Sequence, residues 1–166
     1  MSNYLIPLMV IVPMLCAILV NAFAKFNKSI KVLTFVVAIC LPIIPLISNY
    51  GLHFFGGYTP MVDNVTGVIY HPAITYSFDM LQQIFIAAIG LITFLVAFIY
   101  LSKYKKASGQ YLFLLFMGTA SVTALMLTDD IFNMFVFFEI LALVQVGIVI
   151  ASPMDYSYEM ALKYMI

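Results

Sequence analysis

Five runs of apolar residues, each long enough or nearly so to cross a lipid bilayer, follow one another along this chain with mostly short polar breaks. They cover Tyr4–Ala24, Lys31–Tyr50, Asp79–Leu101, Tyr111–Thr128 and Ile131–Ala151. The hydrocarbon layer is about 30 Å thick, and a helix needs about 17–25 residues to span it. Inside that layer every backbone amide must find its partner within the protein, so each run is expected to be an α-helix. A sixth helix is expected to begin near Tyr158, after the turn-forming Ser152-Pro153-Met154-Asp155, with too few residues to Ile166 to cross. The expected fold is an all-α integral membrane protein: one domain over residues 1–166, a bundle of five transmembrane helices plus the start of a sixth.

Composition excludes the soluble alternative. Hydrophobic residues make up 65% of the chain and charged ones 8%, against about 25% charged in an average soluble domain. A soluble fold of this size could not avoid exposing apolar patches far larger than soluble monomers tolerate. No basic stretch or small-residue cleavage site accompanies the first apolar run, so it is expected to remain as a helix and not to leave as a signal peptide. The net charge is zero and all seven basic residues are lysines. Without arginine forks or a basic excess, nucleic acid is excluded as a partner. Cys16 and Cys40 lie in apolar runs without CxxC spacing and are expected to be buried, unreactive thiols.

Lysine placement sets the orientation, because short cytoplasmic loops are enriched in basic residues. Lys25, Lys28 and Lys31 flank the first connection and Lys103, Lys105 and Lys106 fill the third; the second has none and the fourth holds Asp129 and Asp130. The alternation places the N-terminus and the loop 51–78 outside, in a multi-pass protein expected in the inner cell membrane. Tyr4, Tyr50, Tyr100, Tyr104, Tyr111, Tyr156 and Tyr158 fall at segment ends, as an interfacial aromatic belt would.

The external loop combines turn chemistry in Phe-Gly-Gly-Tyr-Thr-Pro with β-prone pieces at Val68-Ile69-Tyr70 and Ala73-Ile74-Thr75-Tyr76, so a small hairpin and an irregular connector are both open. His53 and His71 in this loop lack neighbouring ligand types and are read as surface histidines, with no metal site. Asn64-Val65-Thr66 fits a glycosylation acceptor, a pattern too common to use. Pro7 and Pro13 are expected to bend the first helix, and Pro42 and Pro45 the second. In the fourth run Thr119/Thr123 and Ala120/Ala124 have the small-xxx-small spacing of a close-packing face.

Two charged side chains remain inside membrane segments. Glu139 lies eight residues from the outer end of its run, about 12 Å deep at 1.5 Å per residue. An ionisable group at that depth costs roughly 2.5–3.5 kcal/mol even on lenient insertion scales, and such groups mark ion or proton paths by default. A carboxyl group removed from water is driven toward its neutral form, which suits it to exchange a proton during turnover; the alternative role is a permanently protonated packing donor. Lys163 stands about 7–8 Å inside the sixth run, offset by roughly 10 Å in depth from Glu139, so direct pairing is not expected. It could also snorkel to the interface.

The stretch Asp129-Asp130-Ile-Phe-Asn-Met-Phe-Val-Phe-Phe-Glu139, followed by Ala161-Leu162-Lys163-Tyr164, resembles the antiporter-like membrane subunits. These include the D subunit of Mrp-type Na⁺/H⁺ antiporters, relatives in membrane-bound hydrogenases and sulfur reductases, and the homologous pump subunits of NADH–quinone oxidoreductase. Gly56-Gly57-Tyr58-Thr59-Pro60 and Tyr76-Ser77-Phe78-Asp79 are similar to the family's external hairpin and to the Asp that opens its third helix. The family continues from that Asp with Gly-Leu-Ser; here Met80-Leu81-Gln82 follows, and Asp79 is read as a helix cap with at most a minor polar role. The resemblance implies that Glu139 is the fifth-helix glutamate of the ion path and Lys163 the sixth-helix lysine. It also implies that the chain corresponds to the early part of the family's length, ahead of its seventh-helix lysine and later helices; a split gene whose other chain supplies the rest, a fragment and a short paralogue with a changed duty are all open.

The expected function is a part of a multisubunit complex that moves H⁺, with or without Na⁺, and whose partners are other integral membrane subunits. The competing expectation is a structural subunit that packs between larger ones and transports nothing. No reaction, cofactor or metal is assigned to the chain, and a redox centre of its own is disfavoured by the lack of cysteine clusters or paired membrane histidines.

Overall fold

A computed structural model describes residues 5–24, 27–49, 51–56, 61–62, 69–70, 74–104, 108–151 and 157–165. Helices α1 (Leu5–Ala22), α2 (Asn27–Ile47), α3 (Met80–Lys103), α4 (Gly109–Leu127) and α5 (Ile131–Ala151) are each long and apolar enough to cross a membrane, and α6 (Ser157–Met165) follows. The protein has the all-α membrane fold expected, with boundaries close to the apolar runs. The main difference is α2, which begins four residues before Lys31. Its first turn, Asn27-Lys28-Ser29, is polar, and apolarity alone does not register a turn lying at the interface.

Between α2 and α3 the chain forms β1 (Leu52–Gly56), β2 (Met61–Val62), β3 (Ile69–Tyr70) and β4 (Ile74–Phe78). β1 pairs antiparallel with β4, Leu52 opposite Phe78, and β2 pairs with β3. The two ladders are nested, so the loop is a hairpin. β3 and β4 fall on the β-prone pieces; β1 went unanticipated because its Phe54-Phe55-Gly56 stretch leads into turn chemistry. His53 is exposed on β1, while His71 and Asn64-Val65-Thr66 lie outside the described residues.

Packing is centred on α4, which touches α1, α3 and α5, while α2 pairs with α3 and α6 with α5. Gly90 on α3 sits against the backbone of α2: a Cβ there would lie 2.7 Å from the Pro42 nitrogen. Only a residue without a Cβ allows the two backbones to come this close. The end of α2 is satisfied from the same neighbour, because Gln83 Nε2 donates to the carbonyls of Pro45 (2.9 Å) and Ser48 (3.1 Å). Pro7 falls in the first turn of α1, where its missing N–H has no intrahelical partner to lose, so it does not interrupt the helix. Pro13, Pro45, Gly90, Thr119 and Thr123 line a central cavity of about 10 Å³, close to the size of one water molecule.

The two lysine-bearing connections lie at one end of the bundle, as the alternation requires: Lys31 Nζ donates to the Tyr104 carbonyl at 3.2 Å. The hairpin lies at the other end beside the α4–α5 turn, where Asp129 N donates to the Thr75 carbonyl at 3.0 Å. Two expectations about single side chains fail. Tyr100 is not a belt residue but is 9% exposed, stacked on Tyr111 with ring centres 4.2 Å apart, and its hydroxyl accepts from Ser108 N. Cys40 is exposed on the outside of α2, and Cys16 is half-buried. An apolar run does not reveal which face a thiol occupies, since lipid covers the outer face as readily as protein covers the inner.

Candidate functional site

The site begins with the positioning of α5. Asp130 precedes the helix, its Oδ1 accepting from Phe132 N (3.3 Å) and its Oδ2 from Asn133 N (3.2 Å), which satisfies amides that a helix start leaves open. Buried Asn133 then pins the helix sideways, donating from Nδ2 to Tyr76 Oη at 3.1 Å and to Thr128 Oγ1 at 3.0 Å. Asn133 is thus a cross-link between α5 and the hairpin, beyond the capping or interfacial role its position suggests.

Below that anchor, one face of α5 lies on α4. Val144 is buried, a Cβ added at Gly118 would come within 3.1 Å of it, and one added at Gly147 would meet Leu114. Phe137 packs into the core cluster near the hairpin. Glu139 is two residues from Phe137, about 200° around the helix, and is exposed. It therefore points away from α4, together with Phe135, Phe138 and Leu143, which are 61%, 61% and 69% exposed. No described side chain hydrogen-bonds or ion-pairs with it. Gln145 is likewise exposed.

Lys163 is not brought to Glu139. α6 packs on α5 through a face that includes Ala161, 3% exposed, whereas Lys163, two residues on, is exposed. Asp79 occupies the N-cap of α3, and Gln82 accepts from its backbone N–H at 2.7 Å, one half of a capping box. Gln82 does more: its Nε2 donates to Ser77 Oγ (3.0 Å) and to the Met126 carbonyl (2.9 Å), and Ser77 Oγ donates to Asp129 Oδ1 (2.8 Å). Gln82, one of the two residues at which this chain departs from the Gly-Leu-Ser pattern, thus ties the hairpin, α3 and the end of α4 together. Its spacing from Asp79, Asp-x-x-Gln, was a visible signal. The buried pair Thr93 Oγ1–Thr119 Oγ1, 2.9 Å apart, had a weaker one in the small-residue stripe of α4. Among the described residues no cluster of His, Cys, Asp and Glu could hold a metal ion.

The fold has a solved counterpart. A chain of the membrane-bound sulfane sulfur reductase, an archaeal respiratory membrane complex, superposes with a TM-score of 0.74 over 96% of this chain, at 21% identity. What is shared at that identity is the fold. An uncharacterised protein of Methanocaldococcus jannaschii is 38% identical over 166 residues, 99% of this chain. The chain spans about a third of the length of each, 32% of the first relative by sequence and 33% of the structural neighbour. No family model matches the sequence.

Proposed function

We propose that this chain is part of a multisubunit membrane complex that translocates protons, alone or in exchange for Na⁺, and that Glu139 contributes its carboxyl group to the pathway. The observation that carries this reading is the direction of Glu139. It sits at mid-membrane depth on the face of α5 turned away from α4. Against lipid that carboxyl would be costly; against a hydrated seam with a further membrane segment it would be a proton site. The fold shared with a subunit of a respiratory membrane complex, and a relative about three times as long, support the presence of further segments beside this face. Lys163, on α6 beside the same helix, is proposed as a second polar member reached through water, and the setting as the inner cell membrane.

The test is ion movement by the intact complex reconstituted in vesicles. Glu139→Gln keeps shape and hydrogen-bonding capacity but cannot change charge, and is expected to lower proton or Na⁺ flux at least tenfold, with Glu139→Asp intermediate. Undiminished flux in Glu139→Gln would overturn the proposal and favour a structural subunit that packs between its neighbours.

A further inference from the structure

At the lysine-bearing end, α2 and α3 border an open groove of about 320 Å³, lined by Val32, Phe35 and Val36 on α2 and by Phe98 and Leu101 on α3, with Lys31 and Ser102 at its mouth. The walls are apolar and face outward: Val32 is 59% exposed, Val36 52% and Phe98 49%. Phe35 stands 5.9 Å from Phe94 and 6.5 Å from Phe98, ring centre to ring centre, so the aromatic wall continues toward the membrane interior.

The mouth has one sign of charge. Lys31 Nζ is held on the Tyr104 carbonyl and keeps two further N–H donors. Lys103 Nζ lies 5.5 Å from the centre of the Tyr104 ring. Two ammonium groups thus contact Tyr104, at the end of α3, one at its carbonyl and one at its ring. No Asp or Glu occurs in residues 1–62 or 80–128. The first four helices therefore supply no carboxylate to neutralise these lysines.

We propose that this groove binds one anionic phospholipid, its phosphate on Lys31 and Lys103 and an acyl chain along Val32, Phe35, Val36 and Phe98. An apolar trough leading from a cationic mouth matches a molecule with an anionic head and a hydrocarbon tail, whereas a wholly apolar partner helix would leave the ammonium groups without a counter-charge. Free phosphate would use the mouth and leave the trough empty.

Retention of added lipid by the purified, delipidated protein in detergent, read by native mass spectrometry, tests this. Phosphatidylglycerol is expected to bind one-to-one and phosphatidylcholine of the same chain length to bind much more weakly. Replacing both Lys31→Gln and Lys103→Gln should weaken phosphatidylglycerol about 30-fold, taking about 1 kcal/mol per lysine. Val36→Trp, which fills the trough and keeps both lysines, should weaken it as well and guards against a lysine variant that misfolds. Equal retention of the two lipids, insensitivity to Val36→Trp, or displacement by millimolar inorganic phosphate would each overturn the proposal, as would a protein helix occupying the groove in the assembled complex.

Discussion

Neighbouring helices α4 and α5 are built on opposite plans. α4 is the less apolar, with a mean hydropathy of 1.6 against 2.5, yet nine of its residues are buried and only two of those of α5. In water the more apolar helix would be the more buried. In a bilayer lipid tails are as apolar as leucine, so hydropathy does not draw a helix inward; small size and hydrogen-bonding capacity do. Gly118, Thr119, Ala120, Ser121, Thr123 and Ala124 let α4 sit among α1, α3 and α5. The Phe-rich α5, packed on one face only, offers the other with Glu139 in its middle.

The sharpest way to break this contrast is to make the same truncation in both helices. Leu112→Ala on α4, where the side chain is fully buried, is expected to cost about 2–3 kcal/mol of unfolding free energy in bilayers or bicelles, while Leu143→Ala on α5 costs under about 0.5. Equal costs would mean that α5 is packed on both sides within the chain itself. Next in size, Asn133→Leu removes the side-chain bonds that hold α5 to Tyr76 of the hairpin and to Thr128 at the end of α4, and should cost about 1–2 kcal/mol, accompanied by faster hydrogen exchange in β4. The smallest effect concerns α4 and α3: a double-mutant cycle on Thr93→Val and Thr119→Val should return a coupling of about 0.6 kcal/mol, the usual scale for an interhelical hydroxyl bond in a membrane. A coupling near zero would reduce the pair to packing.

This contrast also marks how far the sequence could be read. Helix positions follow from apolar runs because spanning length is a physical requirement, and α5 falls on its run, Ile131–Ala151, without adjustment. The depth of Glu139 is equally legible, being a count of residues times a rise. Its direction is not, because α5 is apolar on every side and only the position of α4 defines an outward face. The same limit hides the exposure of Cys40 and the burial of Tyr100. The hairpin was half legible: β4 has alternating β-formers, whereas β1 gains its identity from pairing with β4. The network around Gln82 required knowing that residues 77, 82, 126 and 129 meet, although half of its capping box is written in the spacing of Asp79 and Gln82.

The cross-link between the hairpin and the start of α5 has a consequence for how the protein is made. Ser77 and Asp129 are 52 positions apart, Tyr76 and Asn133 57. During synthesis β4 is therefore made before α3 and α4, and its Thr75 carbonyl and Ser77 hydroxyl still lack the Asp129 partner while those helices are added. Only when α5 enters the bilayer do Asp129 and Asn133 arrive to close the latch. The hairpin is thus the last part of the fold to be closed: until the fifth helix has been made, its Thr75 carbonyl and its Tyr76 and Ser77 hydroxyls lack the partners that Asp129 and Asn133 supply.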